Sequence, residues 1–565
     1  MNTATKKNID RWLNEEGYDA DTKAEIRRLQ QEDPQALVDA FYTTLSFGTA
    51  GLRGIMGIGT NRMNVYTVRA ASQGLANYIL TQPKPAHGYS VFIGYDSRIN
   101  SRLFAEESAK VLAGNGIRVY LYNDLRPTPL VSFGCRFKRC TAAIMVTASH
   151  NPKEYNGYKV YWSDGAQVLS PHDKGIIAEV NKAADPTKVT MAPSLQHPLI
   201  EEVGNDIDEA YLQAITPLQH YPTENREHGD ELAVVYTSLH GTGITLIPAA
   251  LARWGFHNVR FVEKQVIPDG TFPTVRTPNP EEPAALQLGI DLLMKSKGDL
   301  FIATDPDADR LGVVVSHRGR SVTLNGNQIA CLCLEHICQA LDRQNKMPPK
   351  AAFIKTIVTT ELFQAICDAY HKPCFNTLPG FKYFGELIRL WERDPQGYQY
   401  LFGCEEAYGY LLGTVVRDKD AITACTLVCE AALQAKRKGK TLVDKLHDLY
   451  RKYGVFSEKL LSVSFPETKA GRDKIASGML SLRESALKEI DGIPVKAIED
   501  STANLLRYRL ADGSVVTVRP SGTEPKVKLY CEVVSRSSSP IDESLAVCNR
   551  KAETLLHWMK NKFLT

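Results

Sequence analysis

The sequence predicts an α/β protein: three similar α/β domains with mixed, largely parallel sheets, then a C-terminal α+β domain, around one central cleft. Three observations carry this prediction. A strand–helix–strand plan occurs three times along the chain. Each copy is followed by a further apolar run that opens into a polar loop. The pattern then gives way to short alternating strands separated by turns. Strands alternating with helices imply parallel sheets joined by right-handed crossovers, and recurrence of one plan implies repeated units.

In chain order, the segment before Phe47 is polar and helical in period, with Trp12, Leu13, Ile26 and Leu29 as packing anchors. Phe47-Gly48-Thr49-Ala50-Gly51-Leu52-Arg53-Gly54 follows, dense enough in glycine to turn or to approach a ligand closely. Arg53 among those glycines can fork onto an anion; a plain turn with a solvated arginine fits the segment equally well. The first copy of the repeat has a strand at Val91–Tyr95, a helix at Leu103–Ala113 closed by Gly114-Asn115-Gly116, and a strand at Ile117–Tyr122. The second has a strand at Leu232–Tyr236, a helix at Ile247–Trp254 and a strand at Val259–Val262; the third runs over Ala351–Ile357, Thr360–Tyr370 and Cys374–Asn376. Beyond Gly454, Leu505–Leu510, Val515–Val518 and Val527–Val533 read as antiparallel strands, and Leu545–Phe563 as a closing helix. Polar, glycine-bearing junctions divide the chain into residues 1–204, 205–320, 321–453 and 454–565.

Composition narrows the function. The 565 residues, 43% hydrophobic and 23% charged, suffice for several globular cores. A net charge of +3 supplies no field for nucleic acid or membrane, so neither is expected as a partner. The N-terminus lacks the apolar core of a secretion signal, and no run is long enough to span a bilayer. Twelve cysteines without a C-x-x-C pair indicate reduced thiols and a cytoplasmic protein rather than a thiolate metal site.

The loops carry the chemistry. Thr147-Ala148-Ser149-His150-Asn151-Pro152 follows the apolar run Ala142–Val146, placing Ser149 and His150 at a strand's carboxyl end. Open α/β sheets bind ligands there. An isolated Ser-His pair is more often two turn residues bonding their own backbone; the other loops shift that balance. Asp305, Asp307 and Asp309 alternate with Pro306 and Ala308 after the strand Leu300–Ala303. Carboxylates this close repel one another unless a cation neutralises them, and a hard metal is the economical reading. An EF-hand is excluded, because Arg310 and Ser316 stand where that loop needs glycine and glutamate. Arg519-Pro520-Ser521-Gly522-Thr523-Glu524-Pro525-Lys526-Val527-Lys528 joins an arginine, two hydroxyls, an open backbone and two lysines into a phosphate cradle. Gly403-Cys404-Glu405-Glu406 offers carboxylates suited to sugar hydroxyls. A nucleophile, a metal, hydroxyl-binding carboxylates and a phosphate grip together describe phosphoryl transfer on a phosphorylated polyol.

These motifs, in this order, resemble the α-D-phosphohexomutase superfamily of phosphoglucomutases and phosphomannomutases over nearly the whole chain. The opening Gly48–Gly54 stretch resembles the phosphoglucomutase 2-like branch. The resemblance implies that Ser149 carries a phosphoryl group, passes it to a hexose monophosphate and recovers the other phosphate from a bound 1,6-bisphosphate. It implies Mg²⁺ held by Asp305, Asp307, Asp309 and the phosphate on Ser149, with glucose 1,6-bisphosphate as activator. By the same resemblance Arg310, Glu405, Arg519, Ser521, Gly522, Thr523, Lys526 and Lys528 contact substrate. Arg53 and Lys159 lie near the phosphoserine, His150 is its supporting neighbour, and Lys419 is a general base whose pKa must fall, aided by Arg417 and burial.

The departures from the family pattern are Ala407, Tyr408-Gly409-Tyr410 and Pro379, all in loops that read sugar configuration. The expected substrate is therefore a hexose phosphate, glucose favoured and mannose admitted. A phosphopentomutase or glucose-1,6-bisphosphate synthase is the alternative, and a Mg²⁺-dependent sugar phosphatase a weaker one. Oligomeric state is left open.

Overall fold

Apolar runs bounded by glycines and turn residues become the inner strands of four sheets. The computed structural model describes residues 3–45, 51–183, 185–466, 468–501, 504–521 and 525–564. The first sheet contains β1 (Gly51–Ile55), β2 (Ser90–Tyr95), β3 (Arg118–Tyr122), β4 (Ala142–Val146), β5 (Tyr155–Trp162) and β6 (Ile200–Val203), in the order β1-β5-β4-β2-β3-β6. The second contains β7 (Val234–Thr237), β8 (Val259–Phe261), β9 (Leu300–Thr304), β10 (Leu311–His317) and β11 (Arg320–Leu324), in the order β11-β10-β9-β7-β8. The third contains β12 (Ala351–Thr356), β13 (Cys374–Thr377), β14 (Gln399–Glu405) and β15 (Gly409–Leu412), in the order β13-β12-β14-β15.

Without their extra edge strands the three sheets are the same sheet. The orders β5-β4-β2-β3, β10-β9-β7-β8 and β15-β14-β12-β13 each place two parallel pairings beside one antiparallel return strand. The repeat read from the sequence is thus a repeat of topology. Strands β2, β4 and β9 are buried along their whole length, which is why they read as unbroken apolar runs rather than as alternating ones.

One continuous apolar cluster runs through all three units, from Phe92 and Tyr122 through Tyr211, Trp254 and Ile302 to Phe353, Phe402 and Leu427. The C-terminal domain is different. Its strands β16 (Val455–Ser464), β17 (Glu489–Ile490), β18 (Ile493–Ser501), β19 (Leu505–Leu510), β20 (Val515–Pro520) and β21 (Lys526–Ser535) form an antiparallel sheet in the order β16-β21-β20-β19-β18-β17. This sheet packs on the helix Ile541–Leu564 around a separate core that includes Val516, Leu529, Leu555 and Met559. Strands β16 and β18 and the helix Lys469–Ser485 were not expected from the sequence. β18 packs on the core only through Ile493 and Val495 at its start and is exposed and charged over most of the rest, so it carries no sustained apolar period.

Two N-terminal details sharpen the sequence reading. The helices Thr3–Asn14, Ala20–Glu32 and Pro34–Phe41 build a small core of their own from Ile9, Trp12, Tyr18, Ile26 and Phe41 against Tyr66. Of the glycine-rich stretch, Gly51–Ile55 is an edge strand rather than a turn; its residues 47–50 lie outside those described. Gly51 has φ +114°, and a Cβ there would meet the Tyr158 carbonyl oxygen at 1.9 Å, so only glycine lets β1 approach β5. Among the described residues no helix is long and apolar enough to cross a membrane.

Candidate functional site

The three loops singled out for chemistry occupy one topological position. Each follows the central strand of its unit and precedes the antiparallel return: Ser149 between β4 and β5, the aspartates between β9 and β10, and Glu405 and Glu406 at the end of β14 before β15. Each contains one non-glycine residue in the left-handed region, Ser149 (φ 53°), Ala308 (φ 50°) and Tyr408 (φ 64°). Such backbone is strained and persists only where neighbours enforce it. The aspartate loop is held by all three units. Its Asp307 carbonyl accepts from Thr128 N (2.8 Å), Pro306 from Thr242 N (2.7 Å) and Ala308 from Ala421 N (3.2 Å), while Arg310 bridges to Gly409.

Ser149 is buried, and its hydroxyl donates to Asp305 Oδ2 at 2.7 Å; His150 Nδ1 lies 3.2 Å from Ser149 Oγ. Burial, then the charges of Arg310 and Arg53, hold His150 well below the usual imidazole range, so the ring is neutral. Arg53 Nη1 donates to Asn151 Oδ1 at 3.0 Å, which brings its guanidinium to the serine loop.

The ligand atoms of Asp305, Asp307 and Asp309 lie within 4.8 Å of one another, and all three residues are buried. Three cations answer this charge: Lys159 Nζ lies 2.7 Å from Asp307 Oδ2 and 3.3 Å from Asp309 Oδ2, Lys419 Nζ lies 3.3 Å from Asp309 Oδ2, and Arg310 Nε lies 4.0 Å from Asp309 Oδ1. Burial pushes the Asp309 carboxyl up, but Lys419, Lys159 and Arg310 outweigh it and hold it far below the carboxylate range. Asp305 goes the other way: burial, then the charges of Asp309 and Asp307, raise it strongly. Among the described residues, Asp307 Oδ1 and Asp309 Oδ1 are buried without a hydrogen-bond donor. Buried carboxylate oxygens left unpaired are costly, and a divalent cation binding oxygen ligands supplies what they lack. The residues present therefore fit a hard metal.

Arg310 is anchored by Glu281 Oε1 at 2.7 Å. Glu405 Oε1 accepts from Gly380 N at 2.6 Å, and burial pushes its carboxyl up against the pull of Lys419. The expectation for Lys419 needs correction. Burial does act to lower its pKa, but Asp309, Asp418 and Glu405 outweigh that and raise it. Arg417 does not help, since its Nη2 pairs with Glu392 at 2.5 Å. Lys419 is held as a cation. A Cβ at Gly409 would meet its Cδ at 2.2 Å, so the glycine of Tyr408-Gly409-Tyr410 makes room for the lysine stem.

On the C-terminal domain Arg519 lies opposite Lys528 across β20 and β21, and Ser521 N donates to the Lys526 carbonyl at 2.8 Å. Gly522 and Thr523 lie outside the described residues. Between this sheet and the third unit is a cavity of about 240 Å³, with Glu406, Ala407 and Tyr408 on one wall and Thr517, Lys528 and Tyr530 on the other. Ala407 and Tyr408, two of the residues that depart from the family pattern, thus line this cavity together with Lys528.

The sequence reading missed a supporting layer: Asp96, Arg98, Thr128 and Asp418. Thr128 Oγ1 donates to Asp307 Oδ2 at 2.7 Å. Asp418 accepts from Tyr161 (3.0 Å), Gln167 (2.7 Å) and Lys419 Nζ (3.0 Å). Asp96 and Arg98 had a signal, since they directly follow the strand Ser90–Tyr95, the same strand-end position as the other site residues.

Three stacked copies of one α/β unit presenting polar loops to a shared cleft, closed by an antiparallel domain, define a multidomain α/β enzyme. Four consecutive segments match known domains: phosphoglucomutase/phosphomannomutase alpha/beta/alpha domain I over residues 44–187, domain II over 209–319, domain III over 325–453 and the C-terminal domain over 481–538. The chain is 37% identical to a phosphoglucomutase of Staphylococcus epidermidis over 512 residues, covering 86% of this chain and 90% of that one. It is 35% identical to a phosphoglucomutase of Staphylococcus aureus over 528 residues, covering 90% and 93%. In fold it is similar to a phosphoglucomutase/phosphomannomutase family protein of Burkholderia thailandensis (TM-score 0.65, 19% identity, 89% of this chain and 97% of that one). It is also similar to the parafusin phosphoglucomutase of Paramecium (TM-score 0.67, 17% identity, 92% and 96%). The chain belongs to the phosphoglucomutase/phosphomannomutase family, whose members are mutase-type isomerases.

Proposed function

We propose that this protein interconverts hexose 1-phosphate and hexose 6-phosphate, glucose favoured and mannose accepted, through a phosphorylated Ser149 and a bound 1,6-bisphosphate. The observation that carries the reading is the 2.7 Å contact of Ser149 Oγ with Asp305, beside two buried oxygens of the aspartate triad that take no hydrogen bond from the described residues. A phosphate on that oxygen adds negative charge among three carboxylates. Only a site that also gathers cations can accept it, and Arg53, Lys159, Arg310 and Lys419 are gathered there.

In this reading Asp305, Asp307 and Asp309 hold Mg²⁺, which when bound neutralises charge developing on the transferring group. The chain's own residues do the rest. Arg519, Ser521, Lys526 and Lys528 grip the phosphate that stays on the sugar, and that remote binding holds the acceptor hydroxyl in line. Glu405 orients sugar hydroxyls. Lys419 acts as a charged donor beside the acceptor oxygen, a role that the carboxylates around it favour. Neutral His150 packs beside Ser149 as a hydrogen-bonding neighbour. The four segments 1–204, 205–320, 321–453 and 454–565 would divide the labour as serine, metal, sugar and phosphate carriers. Twelve free cysteines suit the cytoplasm.

The test is an assay of the purified protein on glucose, mannose, ribose and deoxyribose 1-phosphates, with and without glucose 1,6-bisphosphate, following both isomer and free phosphate. The reading predicts isomer formation stimulated by the bisphosphate, fastest with glucose. Steady phosphate release without isomer would assign a phosphatase. Preference for the pentose phosphates would assign a phosphopentomutase.

A further inference from the structure

The strained backbone of Ser149 raises the question of what enforces it. The answer lies on the neighbouring strand end, in Asp96-Ser97-Arg98. The Arg98 side chain is wholly buried. Its Nη2 donates to the carbonyl of Ser149 at 2.5 Å and to that of Asn151; its Nη1 donates to Pro152 at 2.9 Å and to Tyr155 at 3.1 Å. Four N–H groups thus hold four carbonyls of one loop, and Nε faces Asp96 Oδ2 at 3.4 Å. The ring of Phe272, from the second unit, lies 5.0 Å from the guanidinium carbon and closes the pocket. Asp96 holds the other side of the same residue: Thr147 Oγ1 donates to Asp96 Oδ2 at 2.6 Å, and accepts from Ser149 N at 2.8 Å. The carbonyl and the amide of Ser149 are therefore both fixed by one Asp-x-Arg pair.

We infer that Arg98, with Asp96 acting through Thr147, is the positioning residue that keeps Ser149 in its left-handed conformation and so aims its hydroxyl at the aspartate triad. The inference rests on Ser149 being the phosphoryl carrier. All four Nη–H groups of Arg98 go to main-chain oxygens of the serine segment and its Nε faces Asp96, so it affects transfer through the angle of the nucleophile and not through substrate binding. A lysine retains the charge but has no planar fork, and cannot reach four carbonyls that lie in different directions. A misplacement of about 1 Å at a reacting atom can slow transfer about a hundredfold.

The experiment compares wild type, Arg98→Lys, Arg98→Ala and Thr147→Val in the full-length protein. It measures kcat and KM for glucose 1-phosphate, the single-turnover rate of labelled phosphoryl transfer from glucose 1,6-bisphosphate to the protein, and thermal unfolding. Arg98→Lys should lower kcat and the labelling rate about a hundredfold with KM changed by less than about threefold. Guanidinium ion at millimolar concentration should partly restore Arg98→Ala and leave Arg98→Lys unimproved. Thr147→Val, close to isosteric, should show the same split on a smaller scale, and it carries the test if Arg98→Ala fails to fold. Wild-type labelling rates per folded molecule in Arg98→Lys and Thr147→Val would overturn the inference while leaving Ser149 as carrier. Absence of label on Ser149 in the wild type would overturn both readings together.

Discussion

The three-unit body and the C-terminal domain are held together by different forces. Units one to three share one apolar cluster, and the aspartate loop is tied by main-chain bonds to all of them. The C-terminal domain has its own core and meets the body through Val455 and Phe456 beside Gly454, and through polar contacts such as Arg507 to Glu361 at 2.7 Å and Glu361 N to Glu532 at 2.8 Å. Ser149, Asp305, Asp307 and Asp309 are buried in the body, whereas Arg519, Ser521, Lys526 and Lys528 remain partly exposed. Under the proposed function, the contrast separates preformed chemistry from adjustable grip. A transfer site must be rigid to help a transition state, while a phosphate clamp must open to release a charged product.

Substitutions in the two regions should therefore fail differently. The largest loss is expected from Ser149→Ala, at least about a thousandfold in kcat with folding unchanged; full turnover in that variant would rule out a covalent intermediate. Asp307→Asn, or exhaustive chelation of wild type, should cost at least about a hundredfold in kcat, and chelated enzyme should recover on adding Mg²⁺. Persistence of activity after metal removal confirmed by elemental analysis would break the metal assignment. Arg519→Ala should instead raise KM about ten- to a hundredfold with a smaller change in kcat. It should also abolish the compaction that small-angle scattering is expected to register when wild type binds glucose 1,6-bisphosphate. Compaction retained in the variant would mean that another contact closes the domain.

The smallest effect tests the polar seam between the two regions. Glu458 and Glu532 stand directly opposite on neighbouring strands. Burial, then the charge of Glu532, pushes the Glu458 carboxyl from its ordinary 4.5 up to about 7. A carboxyl whose folded value exceeds its unfolded value opposes folding once ionised. Stability therefore falls as pH rises from about 4.5 to about 7 and levels off above that. Glu458→Gln should raise Tm by about 2 °C or more at pH 8 and by much less at pH 5. Equal shifts at both pH values would contradict the assigned repulsion.

Much of this could be read from the sequence because apolar strand and polar loop stand side by side in the chain. Ser149, Asp305, Asp307, Asp309 and Glu405 each sit at the end of a fully or largely buried strand, and topology then brings those ends together. What escaped depends on distant partners. Nothing local marks Thr128, which reaches Asp307 from 179 positions away, or Asp418, which is bonded by Tyr161 and Gln167 of the first unit. The sequence shows Lys419 beside Arg417, but its proton affinity is raised by Asp309 from another loop, by the adjacent Asp418 and by Glu405. β18 escaped for the opposite reason, because a strand exposed along most of its length imposes no sustained period on its residues.

The central claim is that Ser149 carries the transferred phosphoryl group, and one measurement addresses it directly. Wild-type protein is exposed to glucose 1,6-bisphosphate labelled in its phosphates, quenched in acid, digested and mapped by mass spectrometry. The account predicts label on the peptide containing Ser149, chased into sugar bisphosphate by unlabelled glucose 1-phosphate at a rate no slower than kcat. Turnover without label on that peptide, or label that cannot be chased, would contradict it.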